Sequence, residues 1–243
     1  MIDFDRIYHG DCFELIRGIP DNSIDLVVTD PPYDIHTDPG KTVGNKIGKS
    51  LKGIDRVVAE RSKIVDGYGI VELGNELVRV MKNINAYFWC SKKQIPDYMD
   101  FYVGRHKCKF DILFWGKTNP IPTYNKKYMT DVEYCLFFHK DAYLQPQSYE
   151  DASLFYIDQL NVKDKAELKH PTIKPLPMIE RLVRNSSHKG EVVLDPFMGS
   201  GTTAVACIRN ERRYVGFEID DEYYSIASAR IENETSTKKN SLF

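Results

Sequence analysis

The stretch Val192-Val193-Leu194-Asp195-Pro196-Phe197-Met198-Gly199-Ser200-Gly201-Thr202-Thr203 reads as a strand, a turn and the start of a helix. Glu191 to Leu194 is short, apolar and β-branched, as a buried strand requires. Gly199 and Gly201 allow a ligand close to the backbone, and the helix from Thr202 to Asn210 turns unpaired N–H groups toward it. A lone Gly-x-Gly carries little weight. Here a second strand, Tyr214 to Ile219, follows and ends in Glu218, Ile219 and Asp220, with Glu218 twenty-three residues beyond Asp195. A carboxylate there can accept hydrogen bonds from both hydroxyls of a ribose. The pair predicts a nucleoside-binding α/β unit. The third glycine of the dinucleotide fingerprint is missing, and Thr203 and Ala204 stand in its place, of which Ala204 is an adequate substitute.

Working outward, the other decisive run is Ile24-Asp25-Leu26-Val27-Val28-Thr29-Asp30-Pro31-Pro32-Tyr33. Its apolar part is again a buried strand. Pro31 and Pro32 have no N–H and fixed φ, and Pro31 pushes Asp30 into an extended conformation, so neither helix nor ladder continues. A rigid carboxylate, two free carbonyls and an aromatic ring are thereby presented at a strand's carboxyl end, where open α/β sheets bind their ligands. In isolation Asp-Pro-Pro-Tyr is an ordinary turn. Beside a nucleoside site it is chemistry, and hydride transfer has no use for it.

The remaining chain supplies the frame. Arg6 to His9 is a short strand, followed by a Gly10-Asp11 turn whose Asp caps a helix from Cys12 to Arg17. Helices are expected from Gly69 to Lys82, Gln94 to Gly104, Pro175 to Ser187 and Asp221 to about Asn233, with a frayed polar tail. Strands are expected at 86–90, 111–116 and 133–139. Alternation of strands and helices predicts a doubly wound, mainly parallel α/β sheet, and the two strands near residues 113 and 136, joined without a helix, predict an antiparallel pair at one edge. One domain spans 1–243, with an insertion at about 34–66 and an irregular acidic segment at about 141–170.

Composition narrows the function. A formal net charge of −2 excludes a uniformly basic nucleic-acid binder, so such contact needs a local patch. Between Gly40 and Lys63 there are seven basic residues against two acidic ones, whereas Asp141 to Lys169 has six acidic residues against three lysines. The first is a candidate DNA-recognition loop; the second is a poor phosphate-binding surface. Five cysteines without paired metal spacing fit free thiols, and no metal site is expected. The chain shows neither a signal-peptide pattern nor a run of the roughly 20 apolar residues that span a bilayer, so a cytoplasmic protein without a membrane partner is expected.

Thr29 to Tyr33, together with Asp195 to Thr203, resembles the catalytic and cofactor motifs of the S-adenosylmethionine-dependent amino DNA methyltransferases, N6-adenine and N4-cytosine, in the class whose catalytic motif comes first. His170-Pro171-Thr172-Ile173-Lys174-Pro175 is similar to the family's element entering the cofactor site, and Gly10-Asp11-Cys12 with Asp21 to Asp25 is similar to its run into the catalytic strand. The resemblance implies a seven-stranded Rossmann-like methyltransferase sheet with a reversed edge strand and circularly permuted motif order, in which the strand at 6–9 completes the cofactor half. It implies S-adenosyl-L-methionine bound by Asp11, Cys12, Asp30, Thr172, Lys174, Asp195, Phe197, Gly199, Ser200, Gly201, Thr202, Glu218 and Ile219. Glu218 would hold the ribose, Ile219 would flank the adenine, and Lys174 with Thr172 would line the methionine end.

By the same resemblance Asp30 and the carbonyl of Pro31 hold an exocyclic amine, Pro32 completes the turn, and Tyr33 stacks on a base flipped out of double-stranded DNA. Asp at the first motif position favours adenine N6 over cytosine N4, and the absence of a Pro-Cys pair disfavours cytosine carbon 5. Lys41, Lys46, Lys49, Lys52 and Arg56, with Lys117, Lys126 and Lys127 from a second segment, are the expected DNA contacts. A homodimer and a cognate restriction endonuclease are further expectations. The alternatives are an RNA or protein N-methyltransferase, which usually carries Asn where Asp30 stands, a nucleotide-dependent oxidoreductase, and a non-catalytic DNA-binding module.

Overall fold

A computed structural model describes residues 2–32, 69–120, 128–129, 131–158 and 173–240. Tyr33, the insertion at 34–66, Lys126, Lys127 and Thr172 lie outside the described residues. Strands β1 (Arg6–His9), β2 (Leu26–Thr29), β3 (Asn85–Cys90), β4 (Lys109–Lys117), β5 (Val132–His139), β6 (Phe155–Asp158), β7 (Val192–Asp195) and β8 (Arg213–Glu218) form one sheet in the order β1-β8-β7-β2-β3-β5-β4-β6. The helices are α1 (Cys12–Leu15), α2 (Ile70–Val80), α3 (Ile95–Tyr98, continued by a π-helical stretch Met99–Arg105), α4 (Leu176–Ser186), α5 (Thr202–Arg209) and α6 (Asp221–Asn240).

Every residue of β2, β3 and β7 is buried, which is why these strands are apolar throughout rather than alternating. Successive residues still point to opposite faces. Val27 and Phe88 meet Leu73 and Leu77 of α2 and Phe101 of the π-helical stretch, whereas Val28, Tyr87 and Trp89 meet Ile179 and Leu182 of α4 and Cys207 of α5. The sheet is therefore doubly wound, with a core on each side. β1 pairs in parallel with β8, Arg6 opposite Val215 and His9 opposite Glu218, so the amino-terminal strand completes the cofactor half as the permuted order requires.

Two details differ from the sequence reading. Eight strands are present, and the reversed strand β5 lies inside the sheet, antiparallel to both β3 and β4, because β6 adds in parallel beyond β4. β6 has only four residues, with Phe155 and Ile157 exposed, and gives no apolar run to recognise within an acidic segment. The last helix also continues to Asn240. Its distal part is polar but tied down, since Arg209 of α5 makes two hydrogen bonds to Glu234, at 2.7 and 2.9 Å. Among the described residues no helix is long and apolar enough to cross a membrane.

Candidate active site

The site is assembled where β2 and β7 end side by side. Parallel pairing of Leu26 with Val193 and Val27 with Leu194 brings Thr29-Asp30 next to Asp195, residues separated by more than 160 positions in the chain. Thr29 Oγ1 donates to Asp195 Oδ1 at 2.8 Å, Phe197 N donates to the same oxygen at 3.1 Å, and Thr203 Oγ1 donates to Oδ2 at 2.7 Å. Asp195 is thus a buried brace between the strand carrying Asp-Pro-Pro and the turn that starts α5. Burial pushes its carboxyl up to about 7, against the opposing pull of its hydroxyl and amide donors.

The turn itself is shaped by Gly199 and Gly201, with φ of +53° and +81°. Gly201 precedes α5 in the left-handed region, and a Cβ there would lie 3.2 Å from the Cα of Ala227 in α6. Ser200 and Thr202 are buried, and Arg230 donates to the Ser200 carbonyl and to Thr202 Oγ1 from behind the turn. On the neighbouring strand, Glu218 accepts from Gly199 N at 2.7 Å through Oε2 and from Asp220 N at 2.9 Å through Oε1. Burial raises its pKa. Two N–H donors leave further lone pairs on these oxygens, enough for a pair of hydroxyls. Ile219 beside it is 66% exposed and offers an open apolar surface.

The end of β1 closes this side. Gly10 N donates to the Glu218 carbonyl, and Asp11 caps α1 by accepting from Phe13 N at 2.7 Å. Cys12 is buried, and burial with neighbouring Asp11 pushes its thiol up to about 12, so it is a packing residue with no thiolate chemistry.

Asp30 extends past the end of β2. The buried ammonium of Lys174, just before α4, pairs with Asp30 Oδ2 and lies 3.2 Å from Glu133 Oε2 on β5. Lys117 of β4 pairs with the other oxygen of Glu133. Four alternating charges therefore cross the sheet end, with Trp89 under Lys174 at 5.6 Å and Trp115 under Lys117 at 5.0 Å. Burial would neutralise both Lys174 and Glu133. Instead the two carboxylates hold Lys174 above its ordinary pKa, and the two lysines bring Glu133 down to about 2. Lys117, expected at a DNA surface, is turned inward, its side chain 12% exposed. Gln94 reaches the Pro32 carbonyl with Nε2 at 3.3 Å while its Oε1 accepts from Ser91 N, and so steadies the turn after Asp30.

Glu133, Gln94 and the two tryptophans were not selected from the sequence. Glu133 left one trace, a carboxylate in an otherwise apolar strand, Val132–His139. Gln94 left none, because its partners are backbone groups.

A doubly wound sheet whose strand ends join an Asp-Pro-Pro turn to a glycine turn and a strand-end acid is the architecture of a nucleoside-cofactor methyltransferase, and comparison bears this out. The family model described as DNA methylase, N6_N4_Mtase, matches residues 24–229. The chain belongs to this family of DNA methyltransferases. It is 28% identical to the type II methyltransferase M2.MboI of Moraxella bovis, with 97% of this chain and 90% of the relative covered. It is also 28% identical to M2.DpnII of Streptococcus pneumoniae, with 95% and 91% covered. Among solved structures, the DNA modification methylase TTHA0409 of Thermus thermophilus, in complex with S-adenosyl-L-methionine, matches with a TM-score of 0.60 at 26% identity, covering 95% of each chain. The cytosine-N4-specific PvuII DNA methyltransferase matches in fold with a TM-score of 0.67 at 17% identity, covering 95% of this chain and 90% of that one.

Proposed function

We propose that the protein transfers a methyl group from S-adenosyl-L-methionine to the N6 amine of adenine in a base flipped out of double-stranded DNA. The observation that carries this reading is the juxtaposition of Asp30 and the Asp195–Thr202 turn at one end of the sheet, braced by the Thr29–Asp195 hydrogen bond. The residues fit the cofactor. Glu218 is held by Gly199 and Asp220 with acceptor capacity to spare for the ribose, exposed Ile219 offers a face for the adenine, and Gly199 and Gly201 leave the turn without side chains. When bound, the cofactor supplies an electrophilic methyl on a sulfonium.

The chain's own residues would act on the amine. Its lone pair is delocalised into the base ring, so it is a weak nucleophile until hydrogen bonds to Asp30 and to the Pro31 carbonyl draw the nitrogen toward tetrahedral geometry. Fixed φ at both prolines keeps those acceptors in place at little reorganisation cost, and orientation with electrostatics carries the rate. Tyr33 would stack on the extruded base. Lys41, Lys46, Lys49, Lys52 and Arg56 would engage phosphates or base edges; the inward ion pair of Lys117 favours the insertion as the main contact. The type II methyltransferase names of the relatives support a place in restriction and modification. Incubation with labelled S-adenosyl-L-methionine and unmethylated genomic DNA, followed by nucleoside mass spectrometry, tests the reading. N6-methyladenine is the expected product, and N4-methylcytosine alone refutes the choice of target.

A further inference from the structure

Asp30 faces a conflict that the proposed reaction must resolve. Its Oδ2 is engaged by the Lys174 ammonium, yet the same carboxylate is to accept an N–H from the target amine. Lys174 is 6% exposed, so water cannot replace a lost partner. An ammonium has three donors, and only another protein acceptor within reach lets it loosen its hold on Asp30 without being stranded. Glu133 Oε2 lies 3.2 Å from Lys174 Nζ and supplies that acceptor. Glu133 is itself fixed from the far side by Lys117, whose ammonium takes Oε1, and Trp89 floors the Lys174 site at 5.6 Å.

We propose that Glu133 is a positioning residue for methyl transfer: held by Lys117, it takes up the Lys174 ammonium as the target amine enters on Asp30. The inference rests on the methyltransferase reading given above. No bond is made or broken in this step; one N–H···O contact is exchanged for another, and the four charges stay balanced throughout. β5 is the reversed strand, so Val132 and Glu133 at its start lie at the same sheet end as the carboxyl ends of β3 and β4, which is why this acid reaches the site at all.

The test is a double-mutant cycle on the full chain with Glu133→Gln, Lys174→Met and both together, read as single-turnover methylation of unmethylated DNA with saturating labelled S-adenosyl-L-methionine, alongside calorimetric affinity for the cofactor. Loss of one charge-assisted contact predicts that Glu133→Gln slows transfer roughly ten- to a hundredfold while cofactor affinity changes by less than about twofold. If Glu133 acts through Lys174, the double variant is no slower than Lys174→Met alone. A further slowing in the double variant, or an affinity loss as large as the rate loss, overturns the proposal. Should Glu133→Gln fail to fold alone, the comparison of the double variant with Lys174→Met decides by the same criterion. A wild-type protein that methylates no DNA would instead sink the methyltransferase reading, whereas an active wild type with additive substitutions sinks only the role of Glu133.

Discussion

Replacing Asp195 by Asn should remove a pH dependence of stability that the wild-type protein carries. Burial raises this carboxyl from an ordinary 3.8 to about 7 in the folded state. The folded protein therefore binds more protons than the unfolded chain between these values, so the contribution of Asp195 to stability is full below pH 4 and is lost as the pH rises through 7. One pKa unit is worth about 1.4 kcal/mol, so roughly 2 to 3 kcal/mol should disappear between pH 5 and pH 8. Asn cannot titrate but keeps the contacts: its Oδ1 accepts from Thr29 and Phe197, and its amide donates to Thr203 once that hydroxyl turns. Urea unfolding of both proteins at intervals from pH 5 to 8 isolates the effect, because every other titrating group cancels in the difference. Wild type should lose its advantage over Asp195→Asn across that range. Parallel stability curves would refute the argument, and with it the view that Asp195 is a largely protonated brace at mildly acidic pH.

Three other substitutions probe separate links of the chain from fold to function. Asp30→Ala should abolish methyl transfer while leaving calorimetric affinity for S-adenosyl-L-methionine largely intact, since Asp30 addresses the amine; equal loss of both would contradict the assignment. Glu218→Gln should weaken cofactor binding by about tenfold, a loss of ~1.4 kcal/mol, because a neutral amide accepts less strongly from ribose hydroxyls and cannot accept from Gly199 and Asp220 through both atoms. Gly74→Ala should cost roughly 1 to 3 kcal/mol in chemical denaturation without touching the site, because the new methyl would lie 2.6 Å from Cε1 of Phe101 in a packed interface between α2 and the π-helical stretch.

Legibility in the sequence followed the range of the interactions. The two motifs were readable because each is local: a proline or glycine turn fixes its backbone within a few residues of an apolar strand, and the pattern survives without knowledge of neighbours. β2, β3, β7 and β8 were located to within a residue or two for the same reason, their burial on both faces leaving continuous apolar runs. β6 was missed because its pairing with β4 comes from tertiary context rather than from its own four residues. The charge chain through Glu133 was missed because no spacing rule connects Lys117, Glu133, Lys174 and Asp30, which come from four different segments. Lys117 itself looked like a surface cation, since a lysine gives no sequence sign of whether its ammonium meets water or a buried carboxylate.

The brace at Asp195 explains why the motif order can be reversed without loss of the site. Nothing in the juxtaposition of Asp30 with the glycine turn depends on the chain between them. It depends on β2 lying beside β7 and on one carboxylate that binds Thr29 from the first motif and Thr203 from the second. A permutation that keeps those strands adjacent keeps the brace, and β1 shows the same principle at the sheet edge, where the amino-terminal strand fills the place beside β8 and delivers Gly10 and Asp11 to the cofactor side. The reversed strand extends the argument to the other half. Because β5 runs against its neighbours, its first residues rather than its last reach the catalytic end, so Glu133 meets Lys174 and Asp30 there. If β5 ran parallel like β3 and β4, its last residues, His139 among them, would occupy that end in place of Glu133, and Lys174 would have no second acceptor from this strand. Strand direction, a property of topology, thereby decides which side chain stands behind the catalytic aspartate.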